Sequence, residues 1–219
     1  MTKKLFWEDP YRTSLDTVMD RVEGNFVFLR ETIFYALSGG QESDGGTIGG
    51  YPVLEAKKTG PNIAYVLSGS HTLKPGDPVR IEIDRDRRYR LMQLHFAAEL
   101  ILELSYQTLT GIEKIGAHIS QDKARIDFFW PENISCHFPG LISKANELIS
   151  QNLPVISAFS DPSLEKRYWE ISGFARVSCG GTHIKQTGEI GRIDLKRKNI
   201  GKGKERIEIF CTERENQFP

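Results

Sequence analysis

Cysteine is scarce: Cys136, Cys179 and Cys211 are an odd number and too few for a disulfide framework in 219 residues. Long apolar runs are missing, and no stretch approaches the roughly 20 residues that a membrane-spanning helix needs. Residues 1–10 hold no apolar core ahead of Glu8 and Asp9, so they do not read as a secretory signal. Surplus charge is missing as well. The 29 Lys and Arg balance 29 Asp and Glu, so bulk electrostatics draw the chain toward neither nucleic acid nor membrane. There is no internal repeat and no low-complexity tract. The glycine-dense segment 38–50 lacks the Lys-Ser/Thr of a P-loop and the G-x-G-x-x-G spacing of a dinucleotide fold. These absences point to a cytoplasmic globular protein with no membrane partner, and they leave its oligomeric state open.

What is present is ordinary core material, 39 % hydrophobic residues with twelve Phe and three Trp, enough for one large domain or two modest ones. Residues 1–84 read as short strands at 26–29, 33–37, 51–54, 62–67 and 79–84 around the glycine-dense loop, a pattern that suggests a small β-barrel. Composition changes at the charged stretch 84–90. From residue 85 to 219 the pattern is mixed: an apolar helical period over 91–106, a strand at 124–130 closed by Pro131, a helix over 141–153 before Pro154, and strands at 192–195 and 206–210. The expected fold class is α+β, with an N-terminal β-barrel domain (1–84) ahead of an α+β domain (85–219).

Two motifs in the second domain carry chemistry. His95 and Glu99 are four apart in a helical stretch and share a face. Cys179 and His183 have the same offset around Gly180 and Gly181, which suggests a tight turn about an ion. One thiolate, two imidazoles and a carboxylate form a tetrahedral zinc set. A lone histidine on an apolar helix is more often core. A carboxylate on the same face, however, is costly to bury unless paired or metal-bound. The plainer alternatives are an ion pair of Glu99 with Arg90 and a buried thiol beside a chance histidine. The glycine-dense loop offers backbone amides at Gly39 and Gly40 beside Gln41 and Asp44 for close approach by a substrate. Further on, Arg192, Lys196, Arg197, Lys198, Lys202, Lys204 and Arg206 stand against Asp194 and Glu205, a local excess of five positive charges. Such a patch is either a solvated hairpin face or a contact for phosphates.

Together these pieces resemble the editing domain of alanyl-tRNA synthetases and its free-standing relatives, the AlaX family. The motif Cys179-Gly180-Gly181-Thr182-His183 with Thr187-Gly188-Glu189-Ile190-Gly191 has the family's form, and the segment 34–44 resembles its glycine-rich F-Y-P-x-G-G-G-Q-P-x-D motif. Residues 116–120 and 125–128 echo its central strands. Length and the glycine-rich segment place the chain with the longer members, which keep a β-barrel ahead of the zinc domain. Both motifs carry a departure from the pattern: Glu99 replaces the second histidine of H-x-x-x-H, and Ala36 and Ser38 stand where Pro and Gly are usual.

The resemblance implies a zinc-dependent deacylase of tRNA(Ala) mischarged with serine, or with glycine. It also implies His95, Glu99, Cys179 and His183 as metal ligands and Gly39, Gly40, Gln41 and Asp44 along the substrate. His95, Glu99 and Thr182 would stand at the reacting ester, Thr182 beside the serine hydroxyl. Arg192, Lys196, Arg197, Lys198, Lys202 and Lys204 would then hold the acceptor stem. Two other readings stand beside it, a non-catalytic RNA-binding module in which Glu99 closes a structural zinc site, and a zinc hydrolase of another aminoacyl ester.

Overall fold

The computed structural model describes residues 1–212, and it divides into two compact units, Met1–Tyr89 and the chain from Arg90 on. The first unit is mostly strands: β1 (Lys3–Lys4), β2 (Ser14–Glu23), β3 (Phe26–Leu29), β4 (Glu31–Thr32), β5 (Gly46–Ile48), β6 (Tyr51–Thr59), β7 (Asn62–Leu67) and β8 (Pro78–Ile83), with one short 3-10 turn at Leu5–Trp7. Six of them close into a ring in the order β2-β3-β7-β6-β5-β8, where the sequence suggests a small barrel; β1 pairs with β4 outside it. Inside and outside follow from the two-residue period: on β8 Val79, Ile81 and Ile83 are buried while Pro78, Arg80 and Glu82 are exposed. Closure requires Gly46, at φ +155°, where an added Cβ would stand 2.1 Å from the Glu82 carbonyl oxygen.

Helix α1 (Arg85–Thr108) starts in the first unit and runs into the second. There it is followed by β9 (Glu113–Ile119), β10 (Ala124–Phe129), α2 (Phe138–Ser150), β11 (Ile156–Asp161), β12 (Lys166–Ile171), β13 (Ala175–Ser178), β14 (Arg192–Gly201) and β15 (Lys204–Thr212). The strands form two sheets, β14-β15-β10-β9 and β11-β12-β13. The class is mixed α+β, mostly strand. Between Leu91 and Leu104 the helix is buried round nearly its whole circumference, including Leu91, Met92, Leu94, Phe96, Ala97, Leu100 and Ile101. No helix among the described residues is long and apolar enough to cross a membrane.

The sequence expectations are corrected in five places. Segment 33–37 is not a strand. It is an irregular stretch, buried from Ile33 to Ala36 with Leu37 exposed, in which two amides are taken by side chains, Phe34 N–H by Thr32 Oγ1 and Tyr35 N–H by Asp44 Oδ2. Helix α1 begins at Arg85, because Asp84 caps it by accepting from the Arg87 amide at 3.0 Å and so brings the charged stretch into the helix. Helix α2 begins at Phe138 with Pro139 in its first turn, where a missing N–H costs nothing. The strands β2, β9 and β11 to β13 have no counterpart in the strands expected from pattern alone. Last, Gly180 and Gly181 are absent from the residues with positive φ, and a Cβ on Gly180 would meet nothing within 4 Å. That glycine leaves open space beside the motif; it does not relieve a strained turn.

Candidate metal centre

Helix α1 supplies His95 and Glu99 one turn apart, with His95 Nε2 3.3 Å from Glu99 Oε1. The loop after β13 supplies Cys179 and His183. It is anchored by the Cys179 amide donating to the Arg167 carbonyl of β12 at 3.0 Å and by Arg167 Nη1–H donating to the Gly181 carbonyl at 3.3 Å. The Cys179 sulfur lies 3.5 Å from His95 Nε2, 3.3 Å from His183 Nε2 and 3.7 Å from Glu99 Oε1. Donor atoms about 2.0–2.3 Å from one tetrahedral zinc stand roughly 3.3–3.8 Å apart, so this spacing suits the ion.

The three donors that all lie within 4.8 Å of one another are His95, Cys179 and His183, and Glu99 stands beside that set. Its other oxygen, Oε2, accepts from Trp169 Nε1–H at 2.9 Å. The ring nitrogen of His183 that faces away from the sulfur, Nδ1, lies 2.9 Å from Ser157 Oγ. An outer partner of this kind fixes the ring and tautomer of a ligating histidine. His95 and His183 are 5 % and 3 % exposed, whereas Cys179 keeps one side partly open.

Burial alone would push His95 down, but the Cys179 thiolate and the Glu99 carboxylate outweigh it and hold the imidazole up at about 10. Glu99 shows the mirror effect: burial works against its charge, yet the His95 hydrogen bond and charge take it down to about 2. His183 goes the other way. Burial and then the positive His95 beside it keep its ring neutral far below the ordinary histidine range. The pocket therefore favours a cation among its donors, and in the metal-free chain a proton on His95 takes that part.

The remaining expected site residues fall elsewhere. Thr182, 1 % exposed, is buried directly before His183. In the first unit Gly39 and Gly40, at φ +61° and +90°, form a turn closed by the Ser38 and Gln41 backbones, a conformation open to glycine and little else. Gln41 is fully buried. Asp44 is buried and its carboxylate is fully engaged: Oδ1 accepts from Arg88 Nε–H at 2.8 Å, while Oδ2 takes Arg88 Nη2 and the Tyr35 amide. Its place in the fold is therefore that of an internal ion-pair partner.

On the β14–β15 hairpin, Arg192, Lys196 and Lys198 project from the exposed face and Lys202 sits at the turn. Lys204 lies over the Phe129 ring at 5.2 Å. Arg197, on the other face of the strand but still exposed, makes a bidentate pair with buried Glu205, at 2.6 and 2.7 Å. Three residues at the centre, Ser157, Trp169 and Arg167, carry no motif in the sequence. Only the register of β11 against β12, which pairs Ser157 with Trp169, brings them there.

The profile described as "Threonyl and Alanyl tRNA synthetase second additional domain" matches residues 170–208. An alanyl-tRNA editing protein AlaX-M of Pyrococcus horikoshii is 35 % identical over 96 % of this chain and 98 % of its own length. The protein of that name from Saccharolobus solfataricus is 34 % identical over 94 % and 98 %. An alanine–tRNA ligase of Methanococcus maripaludis is 31 % identical over 94 % of the chain but only 26 % of the ligase.

Proposed function

The chain belongs to the AlaX-M alanyl-tRNA editing proteins, and on that premise we propose that it hydrolyses the ester joining a wrong amino acid to the 3′ end of tRNA(Ala), in trans and in the cytoplasm. Seryl-tRNA(Ala) is the main substrate and glycyl-tRNA(Ala) the second. The observation that carries this reading is the convergence of His95 Nε2, Cys179 Sγ and His183 Nε2 within 4.8 Å, with a carboxylate beside them. Three protein donors are the usual number for a catalytic zinc, and a zinc with Glu99 as a fourth ligand can still expand to five and admit water, which favours hydrolysis over a sealed binding module. Zinc bound there would supply Lewis acidity toward the ester carbonyl and lower the pKa of water.

The chain's own residues do the rest. Trp169 fixes Glu99 Oε2, which leaves Oε1 toward the donors, either to complete the metal's ligands or to accept a proton from the attacking water. Ser157 orients His183. Thr182 hydrogen-bonds the serine hydroxyl. A site built for that group leaves polar atoms unpaired when alanine enters, which protects the correct ester. In the first unit the turn of Gly39, Gly40 and Gln41 contacts the aminoacyl-tRNA through its backbone, and Asp44 acts by holding that turn. Arg192, Lys196, Lys198, Lys202 and Lys204 meet acceptor-stem phosphates, with Arg197 set aside by its pair with Glu205.

The test is deacylation of seryl-, glycyl- and alanyl-tRNA(Ala) with and without a chelator. Chelator-sensitive loss of the seryl ester, with the alanyl ester spared, is the expected result. Zinc-loaded protein that leaves all three esters intact would overturn the reading.

A further inference from the structure

We propose that Phe159 is the platform on which the terminal adenine of the acylated tRNA stacks while its ester lies at the metal donors. The inference rests on the hydrolase reading and adds to it the residue that grips the nucleoside.

Strand β11 places Phe159 two residues after Ser157, so the two side chains share one face of the strand. Ser157 Oγ is in contact with His183 Nδ1 at 2.9 Å. Two strand residues span about 6.6 Å, so the ring stands within a nucleoside's length of the donor set. Only a ribose separates the acylated hydroxyl from its base, so an ester held at the donors brings the adenine into this neighbourhood.

The surroundings of the ring suit that role. Phe159 pairs across the sheet with Arg167, whose guanidinium lies 5.2 Å from the ring centroid. Arg167 and its neighbour on the same face, Trp169, are 4 % and 0 % exposed, yet Phe159 remains 38 % exposed. A buried cation thus braces the ring from within, while part of the ring meets solvent on an edge strand. The other exposed apolar residues nearby do not compete. Ile156 alternates to the opposite face of β11, and Leu164 lies in the turn between β11 and β12.

Stacking on an aromatic ring gives a base a gain in affinity of about fivefold to a hundredfold and asks only for a π-face. The probe is 3′-seryl-amino-3′-deoxyadenosine, an amide that the reaction does not cleave, compared with the same compound lacking the base. Both are titrated calorimetrically into full-length wild-type protein and into the Phe159→Ala, Phe159→Leu and Phe159→Trp variants. The wild type should bind the adenosine probe about tenfold more tightly than the baseless one. Phe159→Ala and Phe159→Leu should erase that advantage, and Phe159→Trp should keep it. An advantage that survives Phe159→Ala, or none in the wild type, overturns the proposal. Turnover of seryl-tRNA(Ala) by the wild type is read separately. A base advantage that depends on Phe159 in a protein without turnover would sink the hydrolase reading and leave the stacking site standing.

Discussion

Two of the buried polar clusters among the described residues are built on opposite principles. Around the glycine-rich turn, Asp44 and Arg88 form an ion pair at 0 % and 1 % exposure, and every strong group is matched from within the chain. Arg88 also donates to the carbonyls of Ile33 and Pro10, so one guanidinium ties three separate segments together. Around Cys179 the arrangement is a crowd of groups able to hold a metal, two imidazole nitrogens within 3.5 Å of one sulfur and a carboxylate oxygen 3.7 Å from it. A cluster that closes on itself holds the fold. One that leaves lone pairs facing each other is made for something the chain does not supply.

That contrast breaks most sharply at Asp44. Removing one partner of a buried pair strands the other charge, so Asp44→Ala should cost about 3–5 kcal/mol in urea-induced unfolding. Replacing both residues, Asp44→Leu with Arg88→Met, should cost much less. If instead Asp44→Ala leaves stability intact and abolishes deacylation, Asp44 contacts the substrate and the two clusters are alike. Cys179→Ala should behave in the opposite way. Deacylation and zinc content should fall together, activity by more than about 100-fold, while the chelator-stripped variant still folds and loses relative to stripped wild type only the thiolate's hold on the His95 proton. Full activity in Cys179→Ala would remove the metal from the argument.

The difference between the clusters also explains what could be read from the sequence. The candidate metal donors and the carboxylate beside them come as local patterns, His95 with Glu99 on one helix turn and Cys179 with His183 across four residues, and local spacing is visible in a chain. The ion pair joins positions 44 and 88, which only the fold brings together, so no local spacing announces Asp44's partner. Arg197 is one cation in a basic run by composition, and the two-residue period of β14 sets it on the face where it meets Glu205. Ser157 and Trp169 act on the donors from the β11–β12 pair, whose register no motif announces. Strand β2, ten residues long, escapes notice because its inner positions are occupied by residues as varied as Leu15, Thr17 and Met19.

A gentler change sharpens the comparison without removing a donor. Ser157→Ala takes away the partner of His183 Nδ1 and nothing that would touch the metal. Loss of such an outer hydrogen bond typically costs 10–100-fold in metal affinity or activity. Competition with a zinc-sensitive dye should therefore show weaker zinc binding by about that factor, with unfolding little changed. Unchanged affinity would mean that the loop alone orients the ring.

The smallest perturbation is pH, since no atom of the chain is replaced. In chelator-stripped protein His95 is held up at about 10, so its contribution to stability is complete below 6.5 and is lost as pH rises toward 10. His183 is held down, so the unfolded chain binds a proton there that the folded chain refuses, and stability falls as pH drops below 6.5. Glu99, held down at about 2 by His95, keeps its contribution above 4.5 and loses it only in stronger acid. The stripped protein should thus be most stable near pH 6.5, with thermal unfolding temperature declining on both sides. Zinc takes the place of the His95 proton, so loading should flatten the alkaline side, and zinc affinity should rise with pH as that proton becomes easier to displace. The ion pair of Asp44 and Arg88 offers no such exchange. A stripped protein with the same alkaline profile as the loaded one would show that the proton and the metal do not compete for one place.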